Sequence, residues 1–243
     1  DLGNDKGNIN ISGEWTKATR KLSSPYTSYT RRGFSANYNN TFRNIFRFNI
    51  GFTGNIGGMN TKDDPDAYTG EYTKVRDNVF QANTSLSWLL NKSWITNLKL
   101  DASVYYNDNK SHAHTPYSYA SEQPAVHAEQ EGYFIAGKLP YHFFADQIVD
   151  SKELDYAASL KYEWNRRFKN ITSNLKAGVQ WKGTGNVGDG EYYQNPSLAP
   201  NGYRPRSYSA YPYMHNVSLY AEESLSVPVG STMLRLMAGL RWE

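Results

Sequence analysis

The stretch Leu154–Trp181, LDYAASLKYEWNRRFKNITSNLKAGVQW, decides how the chain is read. In its first half every second residue is apolar or aromatic: Leu154, Tyr156, Ala158, Leu160, Tyr162 and Trp164. Between them stand Asp155, Ala157, Ser159, Lys161 and Glu163. Beyond residues 165–170 the alternation restarts, with Ile171, Leu175, Ala177, Val179 and Trp181 against Thr172, Asn174, Lys176, Gly178 and Gln180. A period of two held on both sides of a turn is the pattern of a long antiparallel hairpin.

The rest of the chain repeats this hairpin. Strand one is expected at about 8–17, with Ile9, Ile11, Gly13 and Trp15 on one face, and strand two carries Phe34, Ala36 and Tyr38. Strand three sets Phe46, Phe48, Ile50, Phe52 and Ile56 against Arg47, Asn49, Gly51, Thr53 and Asn55. Strand four carries Phe80, Ala82, Leu86, Trp88 and Leu90, and strand five Leu98, Leu100, Ala102, Val104 and Tyr106. The opening hairpin supplies strands six and seven. Val217, Leu219, Ala221 and Leu225 mark strand eight, and Leu234, Leu236, Ala238, Leu240 and Trp242 mark strand nine.

The expected connections alternate. Short turns fall near 41–44, 91–94, 165–170 and 228–231; long loops fall near 19–30, 58–77, 108–152 and 183–212. In an antiparallel meander this puts every short turn at one end and every long loop at the other, as in outer-membrane barrels. The strands run longer than the globular mode of about five or six residues, and about 9–11 suffice to cross a bilayer. Trp88, Trp94 and Trp164 stand beside short turns, whereas Trp15, Trp181 and Trp242 stand at the loop end. Two aromatic girdles are expected of a barrel embedded in lipid. The interleaved positions, including Arg47, Lys99, Asp101, Lys161, Glu163, Lys176, Arg235 and Arg241, are too charged for a dry core and suit a wet lumen.

Composition agrees. The mean hydropathy is −0.72 and the aromatic share 15%, with 20 Tyr and 6 Trp. No apolar run is long enough for a transmembrane helix, which says nothing of one-sided barrel strands. The absence of cysteine removes thiol and disulfide chemistry. A net charge of +3 is too mild for nucleic acid. No signal peptide opens the chain at Asp1-Leu-Gly-Asn, so an exported protein would have this as a mature or internal piece.

Several motifs have residue types that could carry chemistry. Gly183-Thr-Gly-Asn-Val-Gly188 fits a dinucleotide fingerprint, but Asp189-Gly-Glu-Tyr offers no helix to follow, so a flexible loop is expected. His112-Ala-His114 with His127 could hold a metal or haem iron, against a plain polar loop. Asp63, Asp64 and Asp66 could hold calcium, against a solvated turn around Pro65. Richest in recognition chemistry are Tyr117 and Tyr119 in one loop, and Tyr192, Tyr193, Tyr203, Arg204, Arg206, Tyr208, Tyr211 and Tyr213 in the next. Rings stack on sugars or aromatic ligands and guanidinium groups grip carboxylate or phosphate, unless these rings only order the loops and meet lipopolysaccharide. Basic residues gather at the short turns (Arg43, Lys92, Arg166, Arg167, Lys169), as an anionic leaflet would favour. No catalytic constellation stands out, and no cofactor or metal is expected.

The last hairpin carries a resemblance. Tyr220-Ala-Glu-Glu, the turn Val229-Gly-Ser-Thr and Ala238-Gly-Leu-Arg-Trp-Glu243 resemble the closing strands of TonB-dependent outer-membrane receptors of the Bacteroidetes type. Glu131-Gly-Tyr-Phe and Ala157-Ala-Ser-Leu-Lys-Tyr are similar to pieces of the same receptors. The resemblance spans residues 1–243, but only as barrel: all-β, an antiparallel transmembrane β-barrel contributing about nine strands of a larger one of about 22. No plug domain or TonB box is visible, and nine strands alone would leave two edges in lipid. The chain therefore reads as a partial barrel domain, to be completed by a plug and further strands. The resemblance implies an outer-membrane transporter that takes up a glycan, siderophore, haem, cobalamin or similar solute, with energy from the TonB complex. The alternatives are a passive porin or adhesin barrel and a soluble carbohydrate-binding β domain.

Overall fold

The computed structural model describes residues 7–20, 24–66, 69–118, 142–200 and 202–243. They form one antiparallel sheet of ten strands: β1 (Gly7–Arg20), β2 (Ser24–Phe42), β3 (Phe46–Thr61), β4 (Tyr72–Lys92), β5 (Ile95–Ser118), β6 (His142–Phe168), β7 (Ile171–Asn186), β8 (Gly190–Tyr193), β9 (Met214–Val229) and β10 (Thr232–Trp242). The order is β1-β2-β3-β4-β5-β6-β7-β9-β10, a meander in which each long strand pairs with its neighbours in sequence, while the short β8 pairs with β6. The sheet is not closed: among the described residues β1 pairs only with β2, and β10 only with β9.

The expected hairpin is present, Leu160 facing Val179 and Tyr162 facing Ala177. Its apolar row continues across the sheet in register, through Leu100–Leu160 to Val179–Leu219. At the short-turn end the backbone reverses through left-handed residues, Arg43 (φ 49°) with Asn44 (φ 55°) and Gly230 (φ 62°), the geometry that matches strand twist in tight hairpins.

Two expectations need correction. The connection expected at 19–30 is only residues 21–23, because β1 and β2 continue in register up to Thr19–Ser28. Likewise the strands run to Thr61, Ser118 and Asn186 and restart at Tyr72 and His142 inside the expected loops, and the short β8 (Gly190–Tyr193) lies within the loop expected at 183–212. The rule that every connection at the loop end is long therefore fails at 21–23. The physical reason is that strands which leave the membrane have water on both faces, so their period-2 signal fades while their hydrogen-bonded ladder continues. Thr27 and Thr61 illustrate this, their hydroxyls 3.2 Å apart in a ladder with no apolar stripe.

The chain buries almost no apolar side chain: among the described residues only Ile95, Ala145 and Tyr193 qualify. Its accessible surface is 17105 Å², against roughly 11,000 Å² for a compact chain of this mass. Ile50, Phe52, Leu100, Val104, Leu160, Trp181 and Leu219 all point to one face and are 38–47% exposed. A soluble sandwich would bury that face in a second sheet; here it lies open, as a wall that meets lipid does.

Candidate functional site

Register assigns every side chain to one of two faces. The apolar outer face ends, at the loop end, in rings: Phe80 beside Tyr106 (6.5 Å between centroids), and Tyr156 beside Trp181 (5.0 Å), which also meet His215. At the short-turn end Trp88 (46% exposed) and Trp94 (65%) stand outward, and the Trp164 indole donates to the Ser93 carbonyl at 2.8 Å. Of the expected rings, Trp88, Trp94, Trp164 and Trp181 stand at the two ends of the apolar band, Trp15 (72% exposed) and Trp242 (66%) share its face, and Phe80, Tyr106 and Tyr156 add to the loop end.

The inner face is mostly polar. Lys161 bridges Asp101 at 2.9 Å, Ser85 donates to the same carboxylate at 2.7 Å, and Asn97 donates to Glu163 at 3.2 Å. On β1–β3 the inner wall also carries a cluster of amides, Asn39 donating to Asn8 (3.1 Å) and to Asn37 (2.6 Å) and accepting from Asn49, while Arg31 donates to Asn55 at 3.1 Å. Higher on the same face a groove opens. Tyr105, Asp155, Lys182, Thr184 and Met214 line a cavity of about 590 Å³. Asp155, Thr184 and Met214 also line a second, of about 640 Å³, with Glu153, Tyr208 and Tyr211. The shared residues make the two one continuous groove from the lumen to the loop that follows β8. Thr184 donates to the Asp155 carboxylate and so fixes it at the junction. Rings and a thioether offer flat apolar contact, and Asp155, Glu153 and Lys182 offer polar handles.

The tyrosine–arginine cluster expected from sequence divides into three. Tyr208 and Tyr211 line the groove, Tyr211 being 70% exposed. Tyr117, Tyr193 and Tyr203 instead pack together. Tyr193 is 7% exposed and hydrogen-bonds Tyr117, and its ring meets that of Tyr203 edge-on at 4.7 Å. Burial, reinforced by the Tyr117 bond, pushes the Tyr193 hydroxyl up to about 12, so it stays protonated and structural. Burial and Glu191 also raise Tyr203. Tyr192 falls on the opposite face, opposite Ile148, and Tyr213 lies over Gly185. Arg206 pairs through its backbone with Glu191 at 2.8 and 2.9 Å, and Arg204 is exposed. Tyr119 and His127 lie outside the described residues.

The other motifs resolve as architecture. Gly183 and Gly185 end β7, and a Cβ on either would lie 2.3 or 2.4 Å from the ring of Tyr156 or Tyr213. These glycines leave room for rings, and the G-x-G-x-x-G spacing has no phosphate role. The loop expectation for them is corrected for Gly183 and Gly185, which are strand. Asp64 accepts from the Asp66 amide at 2.9 Å and Asp63 from the Gly70 amide at 2.6 Å, a hydrogen-bonded turn. Donors from Thr69 and Gly70 hold the Asp63 carboxyl below its ordinary value.

His112 and His114 are not in a loop but on β5, where both rings meet one carboxylate oxygen of Asp146, at 2.6 and 2.8 Å. His114 is sandwiched between Tyr72 (4.7 Å) and Phe144 (4.4 Å). Among the described residues no group of three or more histidines and carboxylates could hold a metal ion. Sequence reasoning missed Tyr105, Asp155, Lys182 and Met214 as groove residues. Their inward parity next to a long connection was the available signal.

A family model described as TonB dependent receptor-like, beta-barrel, matches residues 12–243. No curated protein matches the chain.

Proposed function

Because the chain belongs to the TonB-dependent receptor-like β-barrel family, we propose that it forms part of the wall of a receptor that takes up a large or scarce solute with energy relayed by TonB. The family is one of outer-membrane receptors and transporters of Gram-negative bacteria rather than of enzymes. The observation that carries the reading is the two-faced sheet: an exposed apolar band between two girdles outside, and a polar wall with a tyrosine-lined groove inside. Outer-membrane lipid and lipopolysaccharide cover the first face. The solute meets the groove at Tyr105, Asp155, Tyr208 and Tyr211 on its way from the loop end. Further strands close the sheet, since an open edge in lipid is not viable, and a plug inside the closed barrel supplies the contact with the TonB complex.

The test is made on the whole receptor. It should fractionate with outer membranes and migrate differently on gels before and after heating. A deletion strain should then lose growth on one member of a panel of glycans, siderophores, haem and cobalamin, and Tyr211→Ala should weaken uptake of that solute. A protein soluble without detergent, or a deletion strain that grows on every nutrient without TonB dependence, would overturn the reading.

A further inference from the structure

Above the loop-end girdle the outer face of the sheet changes from apolar to charged, and the charge is unbalanced. The register places Lys17, Arg32, Lys74, Arg76, Lys110 and Lys152 there, against Asp108, Asp146 and Asp150. Six cations less three anions leaves three positive charges on the described strands, and the charged row begins with Asp108, one outward position above Tyr106, opposite Lys152, two above Tyr156. Within the apolar band the same face carries a single charge, Glu223, held by the Ser173 hydroxyl at 2.6 Å.

The collar is built, not scattered. Asp150 is 2% exposed and lies between Lys110 Nζ (3.1 Å) and Lys152 Nζ (3.3 Å). Burial alone would raise its carboxyl, but the two ammonium groups outweigh burial and hold it below its ordinary value. One buried carboxylate thus fixes two lysines side by side. Next to them Arg76 is held by Asp108 at 2.7 Å while about half of its side chain stays exposed. Lys74 lies 4.9 Å over the Tyr72 ring. Lys17, Arg32, Lys74 and Arg76 are exposed.

We propose that this collar, from Arg32 across Lys74 and Arg76 to Lys110 and Lys152, binds the phosphate groups of the phosphorylated glycolipid in the outer leaflet. The proposal rests on the outer-membrane reading above. Charge complementarity and height select the occupant. The collar starts where the aromatic girdle ends, which is the level of a headgroup whose acyl chains lie against Val104, Leu160 and Trp181. Arg forks and Lys ammonium groups both suit phosphate oxygens. A zwitterionic phospholipid would leave the surplus charge uncompensated.

The whole receptor in detergent is titrated with bis-phosphorylated lipid A, with the same lipid A after removal of its phosphates, and with inorganic phosphate, following Tm. The phosphorylated lipid should raise Tm saturably by at least about 3 °C, and the other two should not. R32Q/K74Q/R76Q, confined to exposed positions, should lose most of that rise. R32Q and K74Q alone should each lose part of it, and K182Q, the same charge change on the inner face, should lose none. Equal stabilisation by dephosphorylated lipid A would reduce the contact to acyl packing and overturn the proposal. A full rise with inorganic phosphate would indicate a free-phosphate site, and an undiminished rise in the triple variant would remove the collar from the contact. Membrane fractionation separates the two readings. Wild-type receptor found in the outer membrane but indifferent to lipid phosphate refutes the collar alone, whereas receptor absent from that membrane refutes both.

Discussion

The lower and upper halves of the β5–β6 ribbon are one hydrogen-bonded ladder in two solvents. From Leu98–Tyr162 to Tyr106–Leu154 its outer face pairs Leu with Leu, Ala with Ala and Val with Tyr. From Asp108–Lys152 upward the same face pairs Asp with Lys, Lys with Asp, and His with Ile. The backbone does not register the change, since pairing continues unbroken to Ser118–His142. Strand geometry is thus set by the ladder, and residue identity by the medium each face touches. An interaction that stabilises one half should be harmful or irrelevant in the other.

The largest test of this contrast puts charge into the lower half. Leu160→Arg is expected to cost about 2–4 kcal/mol in urea unfolding from lipid, as Arg does at a bilayer midplane. Phe48→Arg should cost less. Phe48 lies only three residues beyond Ile45 at the short-turn end, near the interface rather than at the midplane. Lys161→Ala and Asn49→Ala on the inner face should cost at most about 1 kcal/mol, because water in the lumen screens what they lose. Equal losses on both faces would refute the assignment of inside and outside.

The upper half should respond to the opposite change, removal of charge. Asp150→Ala leaves Lys110 and Lys152 facing each other without their shared carboxylate. The expected loss is about 1–2 kcal/mol, below the 3–5 typical of a fully buried pair because both lysines keep roughly a third of their exposure. Hydrogen exchange should show it as opening above Tyr106 with protection at Leu98–Leu100 unchanged. Opening throughout both strands would mean the halves are not separable.

The same division explains what was legible in the sequence. Between the girdles one face meets hydrocarbon and the other water, so Phe46–Ile56 or Leu154–Trp164 alternates cleanly and shows strand, face and membrane at once. Above the girdles both faces meet water, and alternation disappears from Thr27–Thr30, Lys110–His114 and Gln147–Ser151 although all are strand. Tyrosines there could be named as recognition residues but not sorted. What separates Tyr193 from Tyr211 is the turn through Asn195–Leu198, which folds one ring onto Tyr203 and leaves the other over the groove. That contact is tertiary and has no trace in spacing.

Acid should separate the halves reversibly. Burial would raise Asp146, but the His114 and His112 bonds outweigh it and hold its carboxyl below the ordinary value, and Asp150 is lowered by its lysines. A group depressed in the folded state contributes stability that is complete above its unfolded pKa of about 3.9 and is lost as pH falls through the folded value. Limited proteolysis at the loop-end parts of β5 and β6, about residues 108–118 and 142–152, should therefore increase below about pH 4, while the membrane band stays protected. Asp146→Asn should flatten that response.

The smallest effect expected is also the one that divides the tyrosine cluster. Tyr193→Phe removes the hydroxyl bonded to Tyr117 and should cost about 0.5–1.5 kcal/mol in the loop region, with solute uptake retained once folded. Tyr211→Ala removes a ring that is 70% exposed, so stability should stay within about 0.5 kcal/mol of wild type. Its effect should appear instead as weaker solute binding. The two variants thus load stability and binding on different rings only eighteen residues apart. If Tyr211→Ala destabilised the loops while Tyr193→Phe lowered affinity, the groove and the packed trio would have exchanged roles. The ligand would then be held by Tyr117, Tyr193 and Tyr203, around the cavity of about 240 Å³ that Tyr193 and Tyr203 line with Pro196 and Pro200.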